Sequence, residues 1–250
     1  MQFETRQGPV AVSVKSIADL KAKVCEKIER NQGFALATIN LDHLVKMNTD
    51  VPFYAAYQAQ DYVVADGNPI VWMGRMAGQE IELLPGSDLI LPMCQWVTDL
   101  GATVALAGST SEALAQAEVT MKAACPGLVV TAKISPPFGF DPHGDDARAL
   151  LQAIHESGAR ICFIALGAPK QEMLAAYGRE IAPQTGFVSI GAGLDFLAGT
   201  QDRAPKWVRR LALEWLWRLM QSPSRMAGRY ARCFAILPGH VKRALMGQRQ

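Results

Sequence analysis

Residues 160–174, RICFIALGAPKQEML, run from an apolar segment straight into groups suited to holding an anion. The segment 161–166 is apolar throughout and of strand length, as expected for a parallel strand buried on both faces. It stops at Gly167, and Pro169 sits where a first helical residue is favoured. Free N–H groups at the start of such a helix suit a diphosphate. Lys170 in the first turn opposes the helix dipole, a penalty of roughly 0.3–1 kcal/mol that a bound anion would offset. An ordinary strand–helix turn is the plainer alternative. Gln171 follows, and Asn40, Asp66, Ser109 and Asp195 likewise fall just after segments of strand character. In a parallel sheet those ends share one edge, so residues distant in sequence can meet in one cleft. For Ser109 and Asn68 the expectation is simpler: each caps a helix.

The elements that must carry these residues alternate regularly. Ser16 is a fitting N-cap for a helix whose apolar positions are Ile17, Leu20, Val24 and Ile28. Strands are expected at 34–39, 62–65, 103–107, 128–134, 161–166 and 187–190. Helices are expected between them: over 41–60 in two pieces broken by Pro52, from Asn68-Pro69, from Gly86, from Ser109 to about 124, and over 146–157. Ser109 with Glu112 has the spacing of a capping box. Six strands alternating with helices predict an α/β domain with a mostly parallel sheet.

From about Arg203 the pattern changes. Residues 1–202 hold 14 Lys and Arg against 22 Asp and Glu, a net of −8, whereas 203–250 hold 11 basic residues and one acid, a net of +10. Trp207, Leu211, Trp215 and Leu219 have the spacing of one helical stripe, and Pro223 and Pro238 are expected to divide the tail. Tryptophan beside arginine suits a membrane interface, where each basic residue contributes about 1 kcal/mol near anionic lipid. No RNA-recognition module accompanies the charge, so no nucleic-acid partner is expected. Neither a signal peptide nor a membrane span is legible. The five cysteines lack CxxC spacing and read as buried thiols of a reducing cytoplasm.

GxxxxGK[ST], HExxH and GxSxG are absent. Gly191-Ala192-Gly193 begins like a dinucleotide fingerprint, but Phe196 occupies the third glycine position. No Asp-x-Asp pair is present to hold a metal against a diphosphate, and the four histidines lack ligand spacing, so no metal site is expected. A bound diphosphate would be neutralised by backbone N–H groups with Arg203, Arg210 and Lys170.

The motifs TINLDHLV (38–45), ADGNPIVW (65–72), PGSDLI (85–90), GAPKQE (167–172), GAGLDFLAG (191–199), RAPKW (203–207) and LEWLWRL (213–219), in that order, resemble the WecG/TagA/CpsF family of bacterial glycosyltransferases. The resemblance implies a Rossmann-like core over 1–202, helices on both sheet faces, and a basic, site-completing appendage over 203–250. It implies inverting, metal-independent transfer from a UDP-sugar, with no cofactor, to a polyprenyl-diphosphate-linked saccharide. That chemistry would be peripheral on the inner face of the cytoplasmic membrane, and a homo-oligomer is admitted. By position Asp66 matches the general base, Thr38 and Asn40 the polar pair beside it, and Gln171 a residue holding substrate hydroxyls. Arg203 matches the arginine stabilising departing UDP. Gly167, Ala168, Pro169 and Lys170 would face the diphosphate, with Gly108, Ser109, Asp195 and Arg210 as further binding candidates. Asp195 is equally readable as a structural aspartate, and Arg75 is open in the same way. Leu174, Leu194 and Ala212 depart from the family's usual tryptophan, aromatic and glycine. The alternatives are a nucleotide-sugar-modifying enzyme of another class and a non-catalytic membrane-associated scaffold.

Overall fold

A computed structural model describes residues 1–246. It opens with an antiparallel hairpin, β1 (Gln2–Glu4) and β2 (Pro9–Ala11), whose alternating pattern is too short to stand out in the sequence. Helix α1 (Ile17–Glu29) follows, with the Ser16 hydroxyl accepting the Asp19 N–H. Then come β3 (Phe34–Ile39), α2 (Leu41–Met47), α3 (Val51–Gln58), β4 (Tyr62–Ala65), α4 (Asn68–Met76) and α5 (Gly86–Asp99). The chain continues through β5 (Thr103–Gly108), α6 (Ser111–Ala124), β6 (Val129–Ile134), α7 (Asp145–Glu156), β7 (Ile161–Ala165) and α8 (Lys170–Ile181). Strand β8 (Gly186–Ser189) and the short α9 (Gly193–Ala198) complete the sheet-bearing region.

The six long strands form one parallel sheet in the order β4-β3-β8-β7-β5-β6. The fold is therefore α/β and Rossmann-like, as the alternation predicts. In β3, Phe34 and Leu36 pack with α1, α5 and α6 on one face, while Ala37 and Ile39 join the layer containing Leu44 of α2 and Phe53 of α3. Ala35, Cys162 and Ile164 face α7 and α8 on that second side. Burial on both faces explains why these strands read as unbroken apolar runs. Four of the five cysteines are buried and all are free.

Three local expectations are corrected. The break in 41–60 falls at Asn48–Asp50, and Pro52 opens α3 while the Asp50 carboxylate caps it. Thr110, not Ser109, caps α6 through the Ala113 N–H. Gly67, not Asn68, precedes α4, at φ +114°, and no side chain caps that helix.

The tail forms α10 (Lys206–Arg210), α11 (Glu214–Gln221) and α12 (Pro223–Met246). The expected stripe through Trp207, Leu211, Trp215 and Leu219 is interrupted, because Ala212 adopts φ +59° and ends α10. Pro238 lies inside α12 without ending it. Cys233, His240 and Ala244 are buried on either side of it, so packing holds both halves in one helix. Phe3 meets the His240 ring edge-on at 6.0 Å, which ties α12 to the amino-terminal hairpin. No described helix is long and apolar enough to cross a membrane.

Candidate active site

Asp66 follows β4, and its N–H donates to the Ile39 carbonyl at 2.8 Å, fixing the turn beside the end of β3. Thr38 Oγ and Asn40 Nδ2 both donate to Asp66 Oδ2, at 3.5 and 3.3 Å. Asn40 also caps α2, its Oδ1 accepting the His43 N–H at 3.1 Å, so the amide has no freedom to turn away. Beneath this pair the buried His43 Nδ1–H and the Tyr57 hydroxyl both donate to the Thr38 carbonyl. Burial holds His43 neutral, its pKa lowered to about 4. Burial also raises the Asp66 pKa, outweighing the opposing Asn40 hydrogen bond and the Arg218 charge.

Beyond β7, three positions along the sheet from β4, Gln171 is buried, and its Oε1 accepts the Gly191 N–H at 3.0 Å, locking the turn after β8. Its Nε2 donates to Glu172 Oε1 at 2.8 Å. Glu172 is wholly buried and its pKa is pushed up to about 7, chiefly by desolvation. Gly167 adopts φ +70° and lines a cavity of about 470 Å³ between the sheet edge and the tail. Pro169 is the N-cap of α8 and not its first residue, so the helix begins one residue later than expected, at Lys170. The Ala168 carbonyl accepts Lys46 Nζ at 2.9 Å. Lys46 lines the cavity, whereas Lys170 does not.

A second cluster stands at the β5 end. Gly108 has φ +108°, and a Cβ there would lie 2.3 Å from the Ala165 carbonyl oxygen, so only glycine fits. Ser109, at φ +52°, donates its hydroxyl to Asp195 Oδ1. Gln201 Nε2 reaches the other Asp195 oxygen at 3.0 Å. Of the five polar residues expected to converge, Asn40 joins Asp66 and Ser109 joins Asp195, while Gln171 at the β7 end belongs to neither pair; β4 and β5, which lead to Asp66 and Ser109, stand four strand spacings apart.

Apart from Lys46 of α2, the cavity's cations come from the tail. Arg203 forms a two-pronged ion pair with Asp88 of α5 (Nη2 to Oδ2, 2.9 Å) and lies 5.7 Å over the Phe196 ring, with Arg218 at 5.9 Å. Arg210 is exposed and outside the lining, as is Arg75; Arg218, Arg225, Arg229 and Arg232 line it instead. The spacing of those arginines is visible in the sequence, but which face of α12 meets α2 is not.

A family model described as the Glycosyl transferase WecG/TagA/CpsF family matches residues 7–250. The chain belongs to that family. It is therefore a glycosyltransferase of cell-surface polysaccharide synthesis, a class that implies a nucleotide-sugar donor and an acceptor. Within the family's motifs, the ADG aspartate is the residue gripped by Thr38 and Asn40, and the GAPKQE segment supplies both Gln171 and the wall of the cavity at Gly167. Trp217 and the α12 arginines, legible in the sequence only as aromatic and basic character, belong to the same region, as do Glu172 and Lys46, to which the sequence assigns no role.

Proposed function

We propose that the protein transfers a sugar from a UDP-sugar to a polyprenyl-diphosphate-linked saccharide, with inversion at the anomeric carbon. The observation that carries the reading is the Asp66 carboxylate, held on one oxygen by Thr38 and Asn40 outside the cavity wall itself but within the field of two arginines that line it, Arg218 and Arg203. Both donors engage Oδ2, which leaves Oδ1 for an acceptor hydroxyl. Asp66 takes that proton as the acceptor oxygen attacks C1, and the bond from C1 to the UDP oxygen breaks on the opposite face. A pKa raised by burial makes the carboxylate a stronger base near neutrality than an exposed aspartate. Arg203 and Arg218 neutralise the charge that develops on UDP, an electrostatic role for which removal of one donor typically costs about 10²-fold.

Gln171 holds the Gly191 turn against the substrate, and Gly167 and Ala192 present backbone to the diphosphate. Gly108, Ser109 and Asp195, grouped at the β5 end of the sheet away from Asp66, are assigned to the nucleoside end. The guanidinium groups do the neutralising that a divalent metal does elsewhere, and no cofactor enters the reaction. Trp207, Leu211 and Met220 are all more than 60 % exposed among arginines, which supports seating of the tail on an anionic membrane face.

The test is turnover of a UDP-sugar panel with a soluble prenyl-diphosphate-linked saccharide in EDTA, with product configuration read by NMR. The expected result is UDP release with an inverted linkage. Retention of configuration, or strict dependence on a divalent metal, contradicts the reading.

A further inference from the structure

Three buried nitrogen donors have no acceptor among the described residues: Arg203 Nε, Trp217 Nε1 and Arg229 Nε. All three side chains line the same cavity. Folded proteins rarely leave such donors unpaired, because each loses its water without replacement. Three in one cavity point to an oxygen-rich ligand.

The donors are not equivalent. Arg203 sits with Gly167, Ala192 and Phe196, and Asp88 already balances its charge. Arg229 lies on α12 between Arg225 and Arg232, at i−4 and i+3, so the three share a helix face. Across from it, Lys46 Nζ and Arg229 Nη2 approach the same oxygen, Asp42 Oδ2, at 3.1 and 3.0 Å. One buried carboxylate oxygen thus stands between two cations by charge alone, since it accepts no hydrogen bond, and neither Arg225 nor Arg232 has a carboxylate within 4.0 Å among the described residues. The α12 side of the cavity keeps an excess of positive charge beyond what holds the fold.

We propose that Arg225, Arg229 and Arg232, with Lys46, form a second anion subsite that takes the diphosphate of the acceptor, separate from the donor's subsite at Arg203. The inference rests on the donor and acceptor assignment made above. Transfer between two diphosphate-bearing substrates brings like charges together, and a second set of cations offsets that repulsion at short range.

The probe is geranyl diphosphate, titrated by calorimetry into the full chain with and without saturating UDP. It is expected to bind in both conditions, and inorganic pyrophosphate is expected to compete with it. The double variant Arg225→Ala/Arg232→Ala removes two exposed side chains. It should weaken geranyl diphosphate at least tenfold while UDP affinity stays within twofold, and lysine at both positions should restore most of the loss. The subsite is overturned if UDP displaces geranyl diphosphate one for one, if pyrophosphate fails to compete, or if the double variant weakens both ligands equally. Binding of geranyl diphosphate through these arginines in a chain that ignores UDP supports the subsite and counts against the UDP-sugar donor alone.

Discussion

In the sheet-bearing region β3 buries all six of its residues, whereas α11 in the tail buries none of its eight. The two regions contribute different things to one site. The core fixes position: Asp66 is held through its N–H and one carboxylate oxygen, and Asn40 is held in turn by its capping bond. The tail contributes charge, and its hold on the core comes mainly through the packing of α12. A base must be placed to within tenths of an ångström. Cations acting on a diphosphate tolerate looser placement, because Coulomb attraction falls off slowly with distance.

Ending the chain at Asp202 strains this division most. Residues 1–202 are the core that the family resemblance implies, yet α12 covers Phe3 and its Ala244 packs in the same apolar layer as Ile70. Losing a few buried side chains at about 1.5–3 kcal/mol each predicts a Tm lower by on the order of 10 °C. Turnover should vanish as well. A truncate that melts like the full chain and still releases UDP would break the comparison.

Arg203→Ala separates charge from position. Loss of the guanidinium should lower kcat about 10²-fold. Thermal stability should move little, because Asp88 is 43 % exposed and can return to water. A large fall in Tm with normal kcat would make Arg203 a strut instead.

Glu172→Gln probes the core side. The folded pKa of about 7 lies above the ordinary 4.5, so the folded state binds the proton more tightly than the unfolded chain. That contribution is complete below about pH 4.5 and is lost as pH rises through 7, a change of about 3 kcal/mol. Stability of the wild-type chain should therefore fall more steeply between pH 5 and 8 than that of the variant. Equal slopes in denaturant titrations at those pH values would remove Glu172 as the cause.

The smallest expected effect lies in the tail. Ala212 occupies φ +59°, a left-handed conformation that glycine adopts without penalty. Ala212→Gly should stabilise by up to about 1 kcal/mol, raising Tm by about 2–4 °C. A lower Tm would mean that the added freedom of the unfolded chain outweighs the strain.

How far the sequence could be read follows the same division. Strands β3 and β7 are legible because burial on both faces leaves continuous apolar runs. Strands β1 and β2, three residues each with only the middle one buried, leave no such trace. Ser109, Thr110 and Ser111 offer three capping hydroxyls in a row. The cap falls to Thr110 because Ser109 bends into a left-handed turn toward Asp195, a partner 86 residues away. Asp66 and Gln171 were found through motifs and their places after strands. The α12 arginines were visible only as basic character, since their facing depends on how α12 crosses α2. The tail stripe failed because one residue, Ala212, interrupts the helix that the spacing assumes.

UDP release by Asp66→Asn, measured beside its UDP affinity and melting temperature, bears on the central assignment most directly. The account predicts a loss of turnover of about 10³-fold, with UDP binding and melting close to wild type. Turnover within tenfold of the wild-type chain would contradict it and remove the carboxylate from the chemistry.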